Sequence, residues 1–296
     1  MLAATALLSF VDQFIRIIAA ESSLWTFHIV RSGMMWVLAL VFVAVMGRRL
    51  KVVNLRAVAA RSAVMSTAMI LYFGALGFMS VAEAAAGLFS APIWVLIFSV
   101  VFFGLRIGPV RVAAAIVGFV GVILVLSPDM AALSVLNLLP VLSGAFYAVA
   151  VIATREWCDG EDAITLALGV FSFMAFWGLC GIALGAALGW EPTGYLTRGW
   201  VTPSSTVFWL CVMQAVCSLV AVTLLTRGYQ LAEASLVSVF EYSVLAFSAL
   251  FGFLVWGDLL TLWSGLGLVL IAAAGSLIAL RDRGDPRVVD AVGRSP

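Results

Sequence analysis

Charged residues are scarce in this sequence. Asp, Glu, Lys and Arg make up 10% of the 296 residues, whereas about 25% is usual for a soluble domain. Hydrophobic residues make up 64%, so a soluble core of this length would lack the polar surface to cover it. The formal net charge is only +1, and no basic patch resembles a nucleic-acid site. The composition therefore indicates a membrane protein without a nucleic-acid partner.

Catalytic and metal-binding motifs are also missing. There is one histidine, His28, which cannot build a metal site alone. The four cysteines lack CxxC spacing and are expected to be free packing residues. No Walker, HExxH or GxSxG pattern occurs, so we expect no ATPase, no metal and no cofactor. A membrane-embedded enzyme or a channel without ATPase activity remains the alternative to a transporter. The cysteines are Cys158, Cys180, Cys211 and Cys217.

What the sequence has instead is long apolar runs. Each approaches the length of about 20 residues that spans a bilayer. Such runs form helices, because unpaired backbone groups cannot face lipid, and they are too uniformly apolar for barrel strands. The sequence therefore predicts an all-α membrane protein with ten transmembrane helices. The expected segments are 2–20, 25–46, 59–79, 82–104, 110–127, 134–154, 163–188, 206–226, 232–256 and 261–280.

Lysine and arginine fix the expected orientation, because cytoplasmic loops carry the excess of both. With a cytoplasmic N-terminus, thirteen of the 16 basic residues fall on the cytoplasmic side. Only Arg198 falls on the other side, while Arg16 and Arg31 lie inside helices. We therefore expect a multi-pass protein of the cell inner membrane with both termini in the cytoplasm.

Two stretches 150 residues apart resemble each other. LGFMSVAEAAAGLFSAPIWVLIFSVVFFG (76–104) aligns with TRGYQLAEASLVSVFEYSVLAFSALFGFL (226–254). Glu83 then falls on Glu233, each in a first helical turn where a carboxylate can cap the helix. Five helices per half make the second half cross the membrane in the opposite sense, as in many secondary transporters. The alternative is a duplication that only gave a stable bundle. The expected units are a first repeat at 1–130, a second at 131–282 and a cytoplasmic tail at 283–296.

These stretches also carry a resemblance to a known family. SVAEAAAGLFSAPIWVLIFSVVFFG with RVAAAIVGFVGVILVLSPD, and GYQLAEASLVSVFEYSVLAFSALFGFLVWGD, resemble the EamA-type branch of the drug/metabolite transporter superfamily. VDQFIR places Asp12 and Arg16 where relatives often have Asp and Lys, and FHIVRS places Arg31 on the family's second-helix arginine. The resemblance implies a ten-helix inner-membrane carrier for small metabolites.

The ninth segment holds a carboxylate near its middle. Asp, Lys or Arg at a helix centre costs about 2.5–3.5 kcal/mol, so ionisable groups there indicate function. Glu241 and Tyr242 align with Ala91 and Pro92 of the first repeat, where proline should loosen the fourth helix. Irregularity at matching depths predicts a transporter site. Glu241 can bind a cationic or zwitterionic substrate, carry a proton, or make a structural hydrogen bond.

Five further residues are candidates for the substrate cavity. Trp94 and Tyr147 can stack on a flat substrate. Asp12 and Arg16 lie four apart on one face of the first helix, where they can pair with each other or line the cavity. Arg31 can bind an anionic substrate group, pair with Asp12 or hold a helix end.

The sequence thus predicts a secondary transporter for a small amphipathic metabolite, such as an amino acid or a vitamin. Rocking of the two halves around a central cavity would give alternating access. The expected partners are this substrate and the lipid bilayer. Proton coupling, the direction of transport and the choice between monomer and homodimer stay open.

Overall fold

The fold is helical throughout the part of the chain that the structure describes, and no strand occurs there. The computed structural model describes residues 2–47, 50–91, 94, 97–98, 101, 109–126, 135–158, 160–231 and 243–282. The all-α prediction is confirmed for these ranges. In chain order the elements are α1 (Leu2–Asp12), α2 (Ile15–Glu21), α3 (Leu24–Val45), α4 (Leu55–Ala75), α5 (Val81–Leu88), α6 (Pro109–Leu126), a 3-10 helix (Val135–Leu138), α7 (Leu139–Trp157), α8 (Ala163–Leu188), α9 (Ser205–Leu231), α10 (Ser243–Trp256) and α11 (Leu262–Asp282).

Four helical stretches in the described ranges are long and apolar enough to cross a membrane. Parts of α7, α9, α10 and α11 are also apolar over 10–17 residues. The protein is therefore a multi-pass membrane protein, as predicted. The count of ten helices stays a prediction, since parts of the fourth and ninth segments lie outside the described residues. The four stretches are Leu2–Glu21, Leu24–Val45, Leu55–Ala75 and Ala163–Leu188.

Polar side chains cap several helix starts. Ser23 caps α3 and Asn54 caps α4, each by accepting a hydrogen bond from a first-turn N–H. At α5, Ser80 and Glu83 form a reciprocal capping box that satisfies two otherwise unpaired backbone donors. The predicted capping role of Glu83 is confirmed. Its counterpart Glu233 lies outside the described residues.

The first predicted segment is not one continuous helix. Gln13 N–H donates to the Phe10 carbonyl and Phe14 N–H to the Val11 carbonyl, both at 3.2 Å. These bonds reach back three residues, so the chain tightens locally into 3-10 geometry between α1 and α2. Three residues per turn rotate the following side chains relative to a regular α-helix. The expectation of a single helix over 2–20 is corrected at this point.

The fourth predicted segment is also interrupted. Helix α5 ends at Leu88, and Phe89 and Ser90 form a turn. This end lies four residues before Pro92, and a proline ring collides with the carbonyl four residues earlier in a regular helix. The position of the interruption agrees with the prediction of a loosened fourth helix. Pro92 itself lies outside the described residues.

Eight of the described helices contact one another in a closed ring. Helix α1 contacts α9, α9 contacts α3, α3 contacts α8 and α8 contacts α4. Helix α4 contacts α7, α7 contacts α5, α5 contacts α10, and α10 returns to α1. Helices α6 and α11 pack along each other, and α6 also contacts α5. This eight-helix ring brings helices from both ends of the chain around one interior.

Glycine permits close approach at two of these contacts. A side-chain carbon added to Gly181 of α8 would overlap the ring of Trp25 on α3. Between α6 and α11, a carbon added to Gly121 would lie 2.7 Å from the Gly267 carbonyl oxygen. A carbon added to Gly267 would lie 2.5 Å from the Gly121 oxygen, so the contact is reciprocal. Small residues at helix crossings are the usual means of close packing in membranes.

Candidate functional site

A buried polar cluster lies between α1, α3, α4 and α9, with Asp12 near its centre. Tyr72 of α4 donates its hydroxyl proton to Asp12 Oδ2 at 3.0 Å. Arg31 of α3 interacts electrostatically with Asp12 and donates to Ser218 Oγ of α9 at 3.4 Å. Gln214 of α9 donates to the Val11 carbonyl at 2.8 Å, next to Asp12. Asp12 is 8% and Arg31 6% exposed, so each charge compensates the other away from water.

Aromatic rings enclose the Arg31 guanidinium. Its central carbon lies 4.6 Å from the ring centroid of Phe73, 5.4 Å from that of Phe27 and 5.3 Å from that of Phe171. These are cation–π distances. Arg31 Nε and one terminal nitrogen have no hydrogen-bond partner among the described residues, nor does either ring nitrogen of buried His28. Several buried nitrogen atoms of the cluster therefore make no hydrogen bond to the described residues.

Arg16 pairs with Asp258, which follows α10, and not with Asp12. The two terminal nitrogens of Arg16 donate to the two carboxylate oxygens of Asp258 at 3.1 and 2.5 Å, in a bidentate fork. The guanidinium also lies 5.4 Å from the Trp256 ring centroid. Of the two alternatives for Asp12 and Arg16, a pair with each other does not form, because the tight turn at 13–14 removes the regular spacing that places residues four apart on one face.

An open pocket of about 470 Å³ lies beside the Arg16–Asp258 ion pair, and we call it the mouth pocket. One of its residues, Leu76, lies four positions after Tyr72 at the end of α4, and its N–H donates to the Tyr72 carbonyl at 3.2 Å. The buried cluster therefore lies about one helical turn beneath the mouth pocket. The lining residues are Arg16, Leu76, Gly77, Phe78, Met79, Ser80, Glu83, Asp258 and Leu259.

A seam of small polar side chains joins α1 to α10. Thr5 Oγ1 lies 2.7 Å from Ser243 Oγ, and Ser248 Oγ donates to Ser9 Oγ at 3.2 Å. Gln13 Nε2 donates to the Ser248 carbonyl at 3.2 Å. Hydrogen bonds between the two helices therefore continue from the start of α10 to the turn that ends α1.

The structure brings together only some of the predicted site residues. Asp12 and Arg31 meet in the buried cluster, and Arg16 lines the mouth pocket. Trp94 is half-buried and stacks on Phe98, with ring centroids 5.8 Å apart. The remaining candidates are Tyr147, which is half-buried on α7, and Glu241, Tyr242 and Pro92, which lie outside the described residues.

Sequence reasoning missed three partners of these residues. Tyr72 and Gln214 are polar residues inside apolar segments. This position is the feature of the sequence that could have identified them as candidate site residues. Asp258 lies just after the ninth segment. A carboxylate in a loop is common, so its position did not indicate a function. Each partner comes from an element distant in the chain, so spacing did not reveal it.

The comparisons with known proteins agree with this picture. Residues 1–127 match the EamA-like transporter family. An uncharacterized transporter of Helicobacter pylori is 26% identical over 215 residues, which cover 72% of this chain and 70% of that protein. A riboflavin transporter of Rhizobium johnstonii is 28% identical over 193 residues, covering 64% and 60%. The pseudopaline exporter CntI of Pseudomonas aeruginosa is 27% identical over 211 residues, covering 70% and 69%.

A solved crystal structure shares the fold. It superposes with a TM-score of 0.65 over 95% of this chain and 96% of the other, at 17% identity. The helical fold, the apolar spans, the family match and the transporter relatives agree with one another. The first 127 residues are therefore similar to the EamA-like transporter family, and together these findings support a membrane transporter.

Proposed function

We propose that the protein is a secondary transporter that moves a small amphipathic metabolite across the inner membrane by alternating access. The observation that carries this proposal is the symmetry of the eight-helix ring. Exchanging α1 with α7, α3 with α8, α4 with α9 and α5 with α10 leaves every contact of the ring in place. Such an exchange is expected if two similar halves face each other around a shared interior.

The individual contacts support the exchange. The α4–α7 contact corresponds to α9–α1, the α4–α8 contact to α9–α3, and the α5–α7 contact to α10–α1. The pairs α3–α8, α5–α10 and α6–α11 each correspond to themselves. The reciprocal approach of Gly121 and Gly267 fits a two-fold axis near α6 and α11. The proposal therefore keeps ten helices in two inverted halves, 1–130 and 131–282, followed by a tail at 283–296.

The loops at the two ends of the bundle support a single orientation. At one end, Glu161 accepts hydrogen bonds from the Val53 and Asn54 N–H groups, at 3.0 and 2.6 Å. At the other end, Arg198 donates to the Ala20 carbonyl at 2.8 Å. The first end contains Lys51, and the sequence predicts thirteen of the 16 basic residues on the cytoplasmic side, so we assign this end to the cytoplasm.

The proposed substrate path runs through the interior of the ring. The mouth pocket with Arg16 forms its entrance, and Asp12 and Arg31 lie about one turn deeper. Helix α10 follows Glu241 and Tyr242 directly in sequence, and it lies in the ring between α1 and α5. We therefore propose that these two residues face the path. The other proposed path residues are Pro92, Trp94 and Tyr147.

Counterflow in proteoliposomes tests the proposal. Vesicles loaded with a mixed metabolite pool should take up the same labelled metabolites with saturation, because a carrier exchanges substrate across its two open states. We expect Glu241→Gln to reduce this exchange at least about tenfold if the carboxylate binds substrate, since hydrogen bonds to charged groups contribute about 1.5–3 kcal/mol.

The matched control is Glu191→Gln, which changes an exposed loop carboxylate and should leave counterflow intact. Counterflow that survives in Glu241→Gln but loses its pH dependence would make Glu241 a proton site. Normal counterflow with normal pH dependence would make it structural. Flux without saturation or exchange in the wild type would indicate a channel and contradict the carrier.

A further inference from the structure

We propose that the mouth pocket binds the ammonium group of an amphipathic organic amine, with the Glu83 carboxylate as its acceptor. The inference rests on the proposed transporter function and adds a chemical class of substrate to it. Glu83 was expected only to cap a helix, and it does so. Glu83 also lines the mouth pocket, at the proposed entrance of the substrate path.

The charges that line the pocket favour a cation. Only Arg16, Asp258 and Glu83 are charged among its nine lining residues. Arg16 and Asp258 neutralise each other through both carboxylate oxygens. Glu83 has no arginine or lysine partner among the described residues. The pocket therefore carries a formal charge of −1, and a carboxylate facing a pocket attracts cations over anions.

The Glu83 carboxylate is held in place while one oxygen stays available. Oε2 accepts hydrogen bonds from the backbone N–H and the hydroxyl of Ser80, both at 2.8 Å. Oε1 accepts none from the described residues. A carboxylate fixed by its helix cap loses little freedom when a ligand binds, and preorganisation of this kind favours affinity.

The rest of the lining suits the apolar part of an amphipathic molecule. Phe78 is 42% exposed and Leu259 is 80% exposed at this end of the bundle. Leu76 and Met79 add further apolar side chains to the lining. A volume of about 470 Å³ falls within the range of about 300–1,000 Å³ that is usual for small-molecule sites.

Three compounds of nearly equal size test the assignment: phenethylamine, which is cationic, phenethyl alcohol, which is neutral, and phenylacetate, which is anionic. Their affinities for the purified full-length protein in detergent are measured by calorimetric titration. We expect the amine to bind at least about tenfold more tightly than the alcohol, because a charged hydrogen bond is worth that factor or more. Phenylacetate should bind most weakly.

Glu83→Gln is the deciding variant. Glutamine also completes a capping box, so the start of α5 should survive while the charge is lost. We expect the preference for the amine over the alcohol to disappear in this variant and to remain in Glu191→Gln. Equal binding of amine and alcohol by the wild type, or an undiminished preference in Glu83→Gln, would overturn the proposal.

A lipid headgroup can supply the same chemistry, since phosphatidylethanolamine carries a primary ammonium. Titrations in nanodiscs of pure phosphatidylcholine, and in nanodiscs that also contain phosphatidylethanolamine, separate the two sources. Equal amine affinity in both supports a soluble substrate, whereas loss of amine binding in the second assigns the pocket to lipid and overturns the substrate assignment. Counterflow of the metabolite pool is scored separately, so this proposal can fail while the carrier stands.

Discussion

At the scale of single residues, the Asp12 carboxylate is a buried charge that depends on partners from other helices. It is 8% exposed and depends on the Tyr72 hydroxyl and the Arg31 charge. Removing one partner of a buried charged group leaves the other uncompensated, which costs more than the pair itself contributes. A variant of the donor should therefore report directly on this cluster.

We expect Tyr72→Phe to lower the free energy of unfolding by about 1.5–3 kcal/mol, because Asp12 loses its neutral donor. Thermal unfolding in detergent, followed by the loss of the monodisperse peak on size-exclusion chromatography, measures the effect. Tyr195→Phe is the control, because the buried Tyr195 hydroxyl has no hydrogen-bond partner among the described residues. Burial raises the pKa of Tyr195, so its hydroxyl carries no charge to lose. Equal destabilisation by both variants would contradict a specific role for Tyr72.

At the scale of helices, glycine decides how closely α3 and α8 approach. Gly178 and Gly181 of α8 face Trp25, which also donates from its indole nitrogen to the Leu196 carbonyl at 2.9 Å. The loop after α8 is thereby fixed to the start of α3. Gly189 then ends α8 with a φ of +64°, in the left-handed region that favours glycine.

We expect Gly181→Ala to destabilise the protein by about 1–3 kcal/mol, because the added methyl overlaps the Trp25 ring and must push the helices apart. Gly33→Ala on α3 is the matched control, since nothing lies within 4 Å of its added carbon. That variant should be neutral or stabilising by up to about 1 kcal/mol through helix propensity. The same heat-stability assay compares them, and indistinguishable effects would argue against close packing at Gly181.

At the scale of the whole molecule, the eight-helix ring joins elements that are far apart in the chain. Helix α1 contacts α10 and α9, while α4 contacts α7 and α8. Neither half of the chain can complete the ring without the other, so the proposed path exists only in the full bundle. The orientation of that bundle then decides which side the mouth pocket faces.

We expect the mouth pocket to face the periplasm, because Lys51 precedes α4 while the pocket residues Leu76 and Gly77 follow it at the opposite end. Two exposed positions report on the two ends, Val52 and Thr193. In a background with the four native cysteines replaced by alanine, Thr193→Cys should react with a membrane-impermeant maleimide in intact cells. Val52→Cys should react only after permeabilisation. The reversed pattern would invert the assigned orientation, and labelling of both in intact cells would contradict a single orientation.

The sequence by itself determined that this protein crosses a membrane many times, that its helices are apolar and capped, and that its relatives are transporters. Those features are local, since they follow from runs of neighbouring residues and from first-turn side chains such as Glu83. Only the tertiary structure decided the partners of the charged groups. Arg16 pairs with Asp258, 242 residues away, instead of Asp12, because a tight turn and the packing of α10 against α1 set that geometry.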